Sequence, residues 1–110
     1  MKRIIPDDIL KNLPCSNVAI SCALGKYLKL PTTRKDGYMT LKDNNKFIRD
    51  YLDVKRYKYF KKTERPKLAD LSLDKAIVCV YGHYIYLEKN HYWSFFDNTN
   101  DLVVAYWELK

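Results

Sequence analysis

The chain has little of what a membrane-spanning, secreted or multidomain protein needs. No stretch approaches the roughly 20 apolar residues of a membrane helix. The opening "MKRIIPDDILKNLPC" holds no apolar run of leader length, so no signal peptide is expected. With three glycines and four prolines in 110 residues there is no Gly/Ser-rich linker, and no segment repeats. One domain over 1–110 with a single modest core is therefore predicted. Cysteine is scarce and odd in number: Cys15, Cys22 and Cys79 lack metal-ligand spacing and read as free thiols of a reducing cytoplasm. Neither a metal nor a cofactor is expected.

What remains is a chain built to fold, 47% hydrophobic and 15% aromatic. Its net charge of +7 is unevenly placed. Up to residue 67 there are 17 Lys/Arg against 7 Asp/Glu, and beyond it 3 against 6, so an excess of +10 precedes a deficit of −3. Such asymmetry fits an acidic partner for the first part, or a plain solvated basic face.

The pattern predicts helices first and strands afterwards. Pro6 with Asp7 and Asp8 opens a short helical turn reaching Leu13. Residues 16–29 are apolar almost all round, as a buried helix requires, and Pro31 stops them. Thr40 and Asp43 resemble a capping box ahead of a second helix over Leu41–Leu52. "YKYFKK" (57–62) alternates like an edge strand, and "KLADLSLDK" is a short helix or connector. From residue 76 onward, "AIVCVYG", "HYIYLEK", "HYWSFF" and "LVVAYWEL" read as an antiparallel meander of three or four strands with turns at Asn90 and "DNTND". The fold class is α+β, an N-terminal buried helix packed on a C-terminal antiparallel sheet.

Chemistry gathers at the head of the buried helix. Cys15 lies at its first turn, where unpaired N–H groups and the positive dipole end favour a thiolate, the nucleophilic form of cysteine. A thiol nucleophile needs a base, and His83 opens a strand of the sheet that this helix packs against. The imidazole needs an orienting group. Asp97, fourteen residues on at the end of the next strand, is the first candidate and Ser94 the reserve. His91 is expected at an exposed turn. Oxyanion donors would come from the backbone of Cys15 or Ser16, with Asn12 or Asn17 as side-chain helpers. Each residue also has a plain structural role: cysteine is commonly buried, and Asp97 could serve only its turn.

The ordered set resembles the papain-like cysteine peptidases in their compact bacterial and phage forms, most closely a group of small phage-encoded papain-like proteins. It rests on Cys15 followed by Ala19-Ile20 and Ala23-Leu24, on His83 opening a strand, on Asp97 in "FFDNTND", and on Tyr106-Trp107 near the end. The match covers 12–30 and 76–108. Two places depart from the pattern: Ser94 stands where the family often has one of two aspartates, and Ile9 stands where papain keeps a glutamine oxyanion donor. The resemblance implies a papain-like fold and a phage-encoded cysteine peptidase or amidase in the host cytoplasm. Cys15 would be its nucleophile, His83 its base and Asp97 its orienting group, and its substrate a protein or peptide carbonyl.

A different role comes from "KRYKYFKKTERPK", residues 55–67, in which seven of thirteen positions are basic with Tyr57, Tyr59 and Phe60 between them. Lys55, Arg56, Lys58, Lys61, Lys62 and Arg65 could contact phosphates while the rings stack on unpaired bases. An edge strand kept soluble by its lysines is the simpler account. A papain-like protein without catalysis that binds a host protein would join the two ideas.

Overall fold

The apolar run at 76–80 is long enough for a strand and too short for a stable helix, and it becomes the centre of the sheet. In the computed structural model, which describes residues 1–25, 33–35, 38–40 and 56–109, β5 (Lys75–Val80) pairs antiparallel with β6 (His83–Glu88) from Lys75↔Glu88 to Val80↔His83. Two residues, Tyr81 and Gly82, make the turn. Gly82 has φ 73°, a left-handed conformation that glycine adopts without a Cβ penalty. β7 (His91–Trp93) continues the meander, and β8 (Val103–Glu108) returns to the other side of β5.

The sheet is larger than the expected three or four strands and is mixed. β1 (Lys2–Ile4) pairs parallel with β7 at one edge, and β4 (Lys58–Tyr59) pairs antiparallel with β8 at the other. The order of the six strands is β1-β7-β6-β5-β8-β4. Both additions have three residues or fewer, too short to carry a period-2 signal. The edge strand expected within 57–62 is β4. A separate antiparallel pair, β2 (Thr33–Lys35) with β3 (Tyr38–Thr40), lies in the stretch read as loop and cap. The second helix expected over 41–52 falls outside the described residues.

The buried helix is α1 (Cys15–Leu24), and residues 16 to 21 are all buried. It starts at Cys15 itself, one residue earlier than expected, after Pro14 as N-cap. It closes at Gly25 (φ 64°), whose N–H reaches the Ser21 and Cys22 carbonyls. A left-handed glycine is a sufficient stop, so the helix ends well before Pro31. The turn expected near Pro6 is a 3-10 turn at Asp8–Leu10, its N–H at Ile9 capped by the Asp7 carboxylate.

Both faces of the sheet are covered, which accounts for strands that read as continuously apolar. Ala19 and Ile20 of α1 pack on Ile77, Cys79, Tyr84, Tyr86 and Trp107. On the opposite face Leu68, from the 3-10 turn Leu68–Asp70, sits on Val78, Ile85, Leu87, Tyr92 and Val103, with Phe60, Leu71 and Leu73 around it. The aromatic residues of β6 to β8 are thus divided between two cores and do not form an open stripe. No helix among the described residues is long and apolar enough to cross a membrane.

Leu68 is the centre of the second core and is fully buried. Leu68→Ala should lower unfolding stability by about 2–5 kcal/mol through lost apolar burial and a residual cavity. The measurement is the urea midpoint at unchanged m-value. A loss below about 1 kcal/mol would mean that the 60–73 segment does not seal that face.

Candidate functional site

The face of the sheet that carries α1 also brings the helix start beside the start of β6. Pro14 has an extended backbone (φ −54°, ψ 144°), and its carbonyl accepts the first intrahelical bond, from Val18 N–H at 3.1 Å. Proline at this point forces the turn from loop to helix immediately before Cys15, and no side chain caps the helix. Cys15 is half-buried. His83, also half-buried, is held by its pairing with Val80 across the Tyr81-Gly82 turn. Cys15 and His83 line one cleft of about 210 Å³, together with Ser94 and the side chains of Leu13, Val18, Trp93 and Phe96. Lys11 is the cation at its edge. Phe96, 64% exposed, meets the His83 ring edge-on with centroids 5.8 Å apart.

The group bonded to the imidazole is Ser94. His83 Nε2 lies 3.2 Å from Ser94 Oγ. Ser94 follows the last residue of β7 and is 1% exposed. Its N–H donates to the Ile4 carbonyl of β1 at 3.1 Å, so the parallel edge strand fixes where this hydroxyl sits. Ser94 Oγ also accepts Phe96 N–H at 3.1 Å and contacts Asn98 Oδ1. Asn98, 6% exposed, passes the chain on: its Nδ2 donates to Asp101 Oδ2 at 2.7 Å, and its own N–H donates to the Tyr92 hydroxyl at 3.2 Å.

Asp97, the first candidate for the orienting role, is occupied elsewhere. Its Oδ1 accepts the Thr99 hydroxyl at 2.6 Å, the Thr99 N–H at 3.1 Å and the Tyr92 hydroxyl at 3.2 Å. Those bonds to Thr99, then Tyr92, hold its carboxyl below the usual carboxylate range. It is the turn residue of its loop, because an aspartate that can accept its second neighbour's N–H closes a turn locally. The residues not anticipated are Asn98 and Asp101. Their trace in the sequence is a serine at a strand end followed by a short loop rich in Asn and Asp, a composition that also describes an ordinary turn.

The other expected site residues are scattered. Asn12 is exposed, Ser16 and Asn17 are buried in α1, and none of the three lines the cleft. Ile9, at the place of papain's glutamine, is 65% exposed. His91 is exposed at the start of β7, as expected. Burial pushes the Cys22 thiol up to about 11, and Cys79 is buried against the core with its thiol on the Val80 carbonyl at 3.4 Å. Among the described residues no group of three or more His, Cys, Asp or Glu side chains is placed to hold a metal ion.

The basic segment is partly engaged. Lys55 lies outside the described residues. Arg56 pairs with Glu108 at 2.7 Å, and Lys58 lies 5.5 Å from the Phe60 ring centroid. Arg65 donates to the Phe60 carbonyl and the Tyr59 hydroxyl, each at 3.4 Å. Lys61 and Lys62 are exposed. Tyr59, Arg65 and the exposed Tyr81 border a shallow hollow of about 580 Å³ on the far side of the Tyr81-Gly82 turn from the cleft.

Comparison of the chain with family models, with curated proteins and with solved structures returns no match.

The Asp97 carboxyl supplies a pH test of its role. Its folded-state value is depressed, so the stability it contributes is present above the unfolded value and is lost as pH falls through the folded one. Unfolding midpoints measured downward from about pH 5 should drop more steeply in the natural protein than in Asp97→Asn. Parallel curves would show that the loop bonds to Thr99 and Tyr92 contribute no pH-dependent stability.

Proposed function

We propose that the protein is a thiol hydrolase of the papain-like type, a peptidase or amidase in which Cys15 is the nucleophile and His83 the base. The observation that carries this reading is the meeting of Cys15, on the first turn of α1, and His83, at the head of β6, in one cleft, with the imidazole tied to a buried hydroxyl. A nucleophile, a base and a group that orients the base are the three parts that acyl transfer by a side chain requires.

In this reading Cys15 gives its proton to His83 and attacks the substrate carbonyl, forming a C–S bond and an oxyanion. Backbone N–H groups at the start of α1, that of Cys15 first, face the developing negative charge with the positive end of the helix dipole behind them. The imidazolium then donates its proton to the departing amine as the C–N bond breaks. A water deprotonated by His83 cleaves the thioester and restores the thiol. The orienting role assigned to Asp97 by the resemblance passes to Ser94, since that is the bond the imidazole makes. The cleft is narrow and walled by Leu13, Val18, Trp93 and Phe96, which suits an exposed polypeptide tail with an apolar side chain at the reacting end.

The test is the rate of alkylation by iodoacetamide across a wide pH range, with peptide mapping of the modified thiol. Cys15 should react fast at about pH 6, and His83→Ala should slow it by at least on the order of a hundredfold. Cys22 should stay unmodified over the same range, because its thiol ionises only near about 11. A Cys15 rate indifferent to His83→Ala would overturn the reading. The fold would then be a binding module, with the hollow beside Tyr59, Arg65 and Tyr81 as the surface to examine.

A further inference from the structure

The hydrogen bonds behind His83 have a direction, and the direction is set at the far end of the chain. Asp101 as a carboxylate only accepts, so the Asn98 atom facing it at 2.7 Å must be the amide nitrogen. The other end of the Asn98 amide, turned toward Ser94, is then the oxygen, which also only accepts. Ser94 must spend its one hydroxyl proton on Asn98. Its two lone pairs are left for the Phe96 N–H and for His83 Nε2. The last contact works only if Nε2 carries a proton. Every donor and acceptor of Ser94 is used in this one arrangement, and no alternative assignment satisfies all four groups.

We propose that Asn98 and Asp101 are positioning residues that hold neutral His83 as its Nε2–H tautomer, so that Nδ1 is the atom that takes the proton of the nucleophile. The tautomer follows from the hydrogen bonds alone, whereas its use in catalysis rests on the thiol-hydrolase reading above. When the Cys15 S–H proton moves to Nδ1, the Nε2–H bond to Ser94 stays as it was, and no member of the chain has to turn. The imidazolium and the neutral ring therefore share one geometry. Asp101 does not touch the reacting atoms. It acts through Asn98, which acts through Ser94.

The same logic gives a way to reverse the chain. Replacing Asp101 by a lysine puts a donor where the acceptor was. The Asn98 amide should rotate to present its oxygen to the new ammonium and its nitrogen to Ser94. Ser94 would then donate to His83 Nε2, and the neutral ring would become the Nδ1–H form. Asp101→Asn is the conservative control, since its amide oxygen can accept from Asn98 as the carboxylate does. Asp101 is exposed, and the bond from its own N–H to the Asn98 carbonyl is kept in both variants.

The experiment is two-bond proton–nitrogen correlation spectroscopy of 15N-labelled full-length protein, well above the ordinary histidine range so that both rings are neutral. His83→Gln assigns the two rings, and exposed His91 serves as the internal reference. His83 should be Nε2–H in the natural protein and in Asp101→Asn, and predominantly Nδ1–H in Asp101→Lys. Iodoacetamide modification of Cys15 should slow in Asp101→Lys on the order of a hundredfold and stay near the natural rate in Asp101→Asn. A natural protein whose His83 is Nδ1–H, or as mixed as His91, overturns the proposal even if the lysine variant does not fold. So does a tautomer that Asp101→Lys leaves unchanged. If the tautomer switches and Cys15 reactivity ignores it, the relay stands and the thiol-hydrolase reading falls.

Discussion

The contact between α1 and β6 is the constraint on which the rest of the molecule depends. Ala19 and Ile20 are fully buried against a sheet face that includes Tyr84 and Tyr86, and the small side chain at 19 lets the helix come close to the strands. Burying Ile20 alone is worth about 1.5–3 kcal/mol. The helix cannot slide along the sheet without opening a void in a close-packed interior. The start of the helix and the start of the strand are thereby fixed relative to each other, and Cys15 and His83 inherit that precision. Neither residue contributes much to the packing that places it. Such a division, with a rigid core and half-buried chemistry at its rim, is what a preorganised site requires.

The same constraint explains which parts of the structure were legible in the sequence. The all-round apolar stretch after Pro14 could only be a buried helix. The alternation around Gly82 could only be a hairpin, and their juxtaposition followed from layer packing. Cys15 and His83 were found that way. The edge strands β1 and β4 were not foreseen as parts of one six-stranded sheet, because two or three residues show no period. Their places are decided by pairing with β7 and β8. Leu68 was likewise read as part of a connector, although it fills the second core. A single leucine in a 3-10 turn leaves no periodic trace.

The orienting group was misplaced for a different physical reason. Ser94, Asp97, Asn98 and Asp101 all lie within eight residues of a strand end and its loop. Any of them could reach the imidazole in some loop conformation. The choice depends on which side chain the loop consumes internally. Thr99 and Tyr92 take the Asp97 carboxylate for the turn, and the parallel bond from Ser94 to Ile4 turns the serine hydroxyl inward. That bond belongs to β1, ninety residues away in sequence, so the local stretch did not contain the information.

A serine in this position changes what the orienting group contributes. A carboxylate brought directly against the imidazole would carry its charge into a largely buried place, at a desolvation cost of several kcal/mol. Here the buried members, Ser94 and Asn98, are neutral and fully hydrogen-bonded, which burial tolerates. The charge remains on exposed Asp101. Turning Asn98 the wrong way would place its oxygen against that carboxylate and lose a charge-assisted bond worth about 1.5–3 kcal/mol. That is a preference of roughly ten- to a hundredfold for one direction of the chain. At two side chains' remove and beside water, the Asp101 charge itself is screened and adds little to the stability of the imidazolium. The relay thus transmits orientation and very little field, and the imidazolium would depend for its charge stabilisation on the partner it forms with the cysteine thiolate.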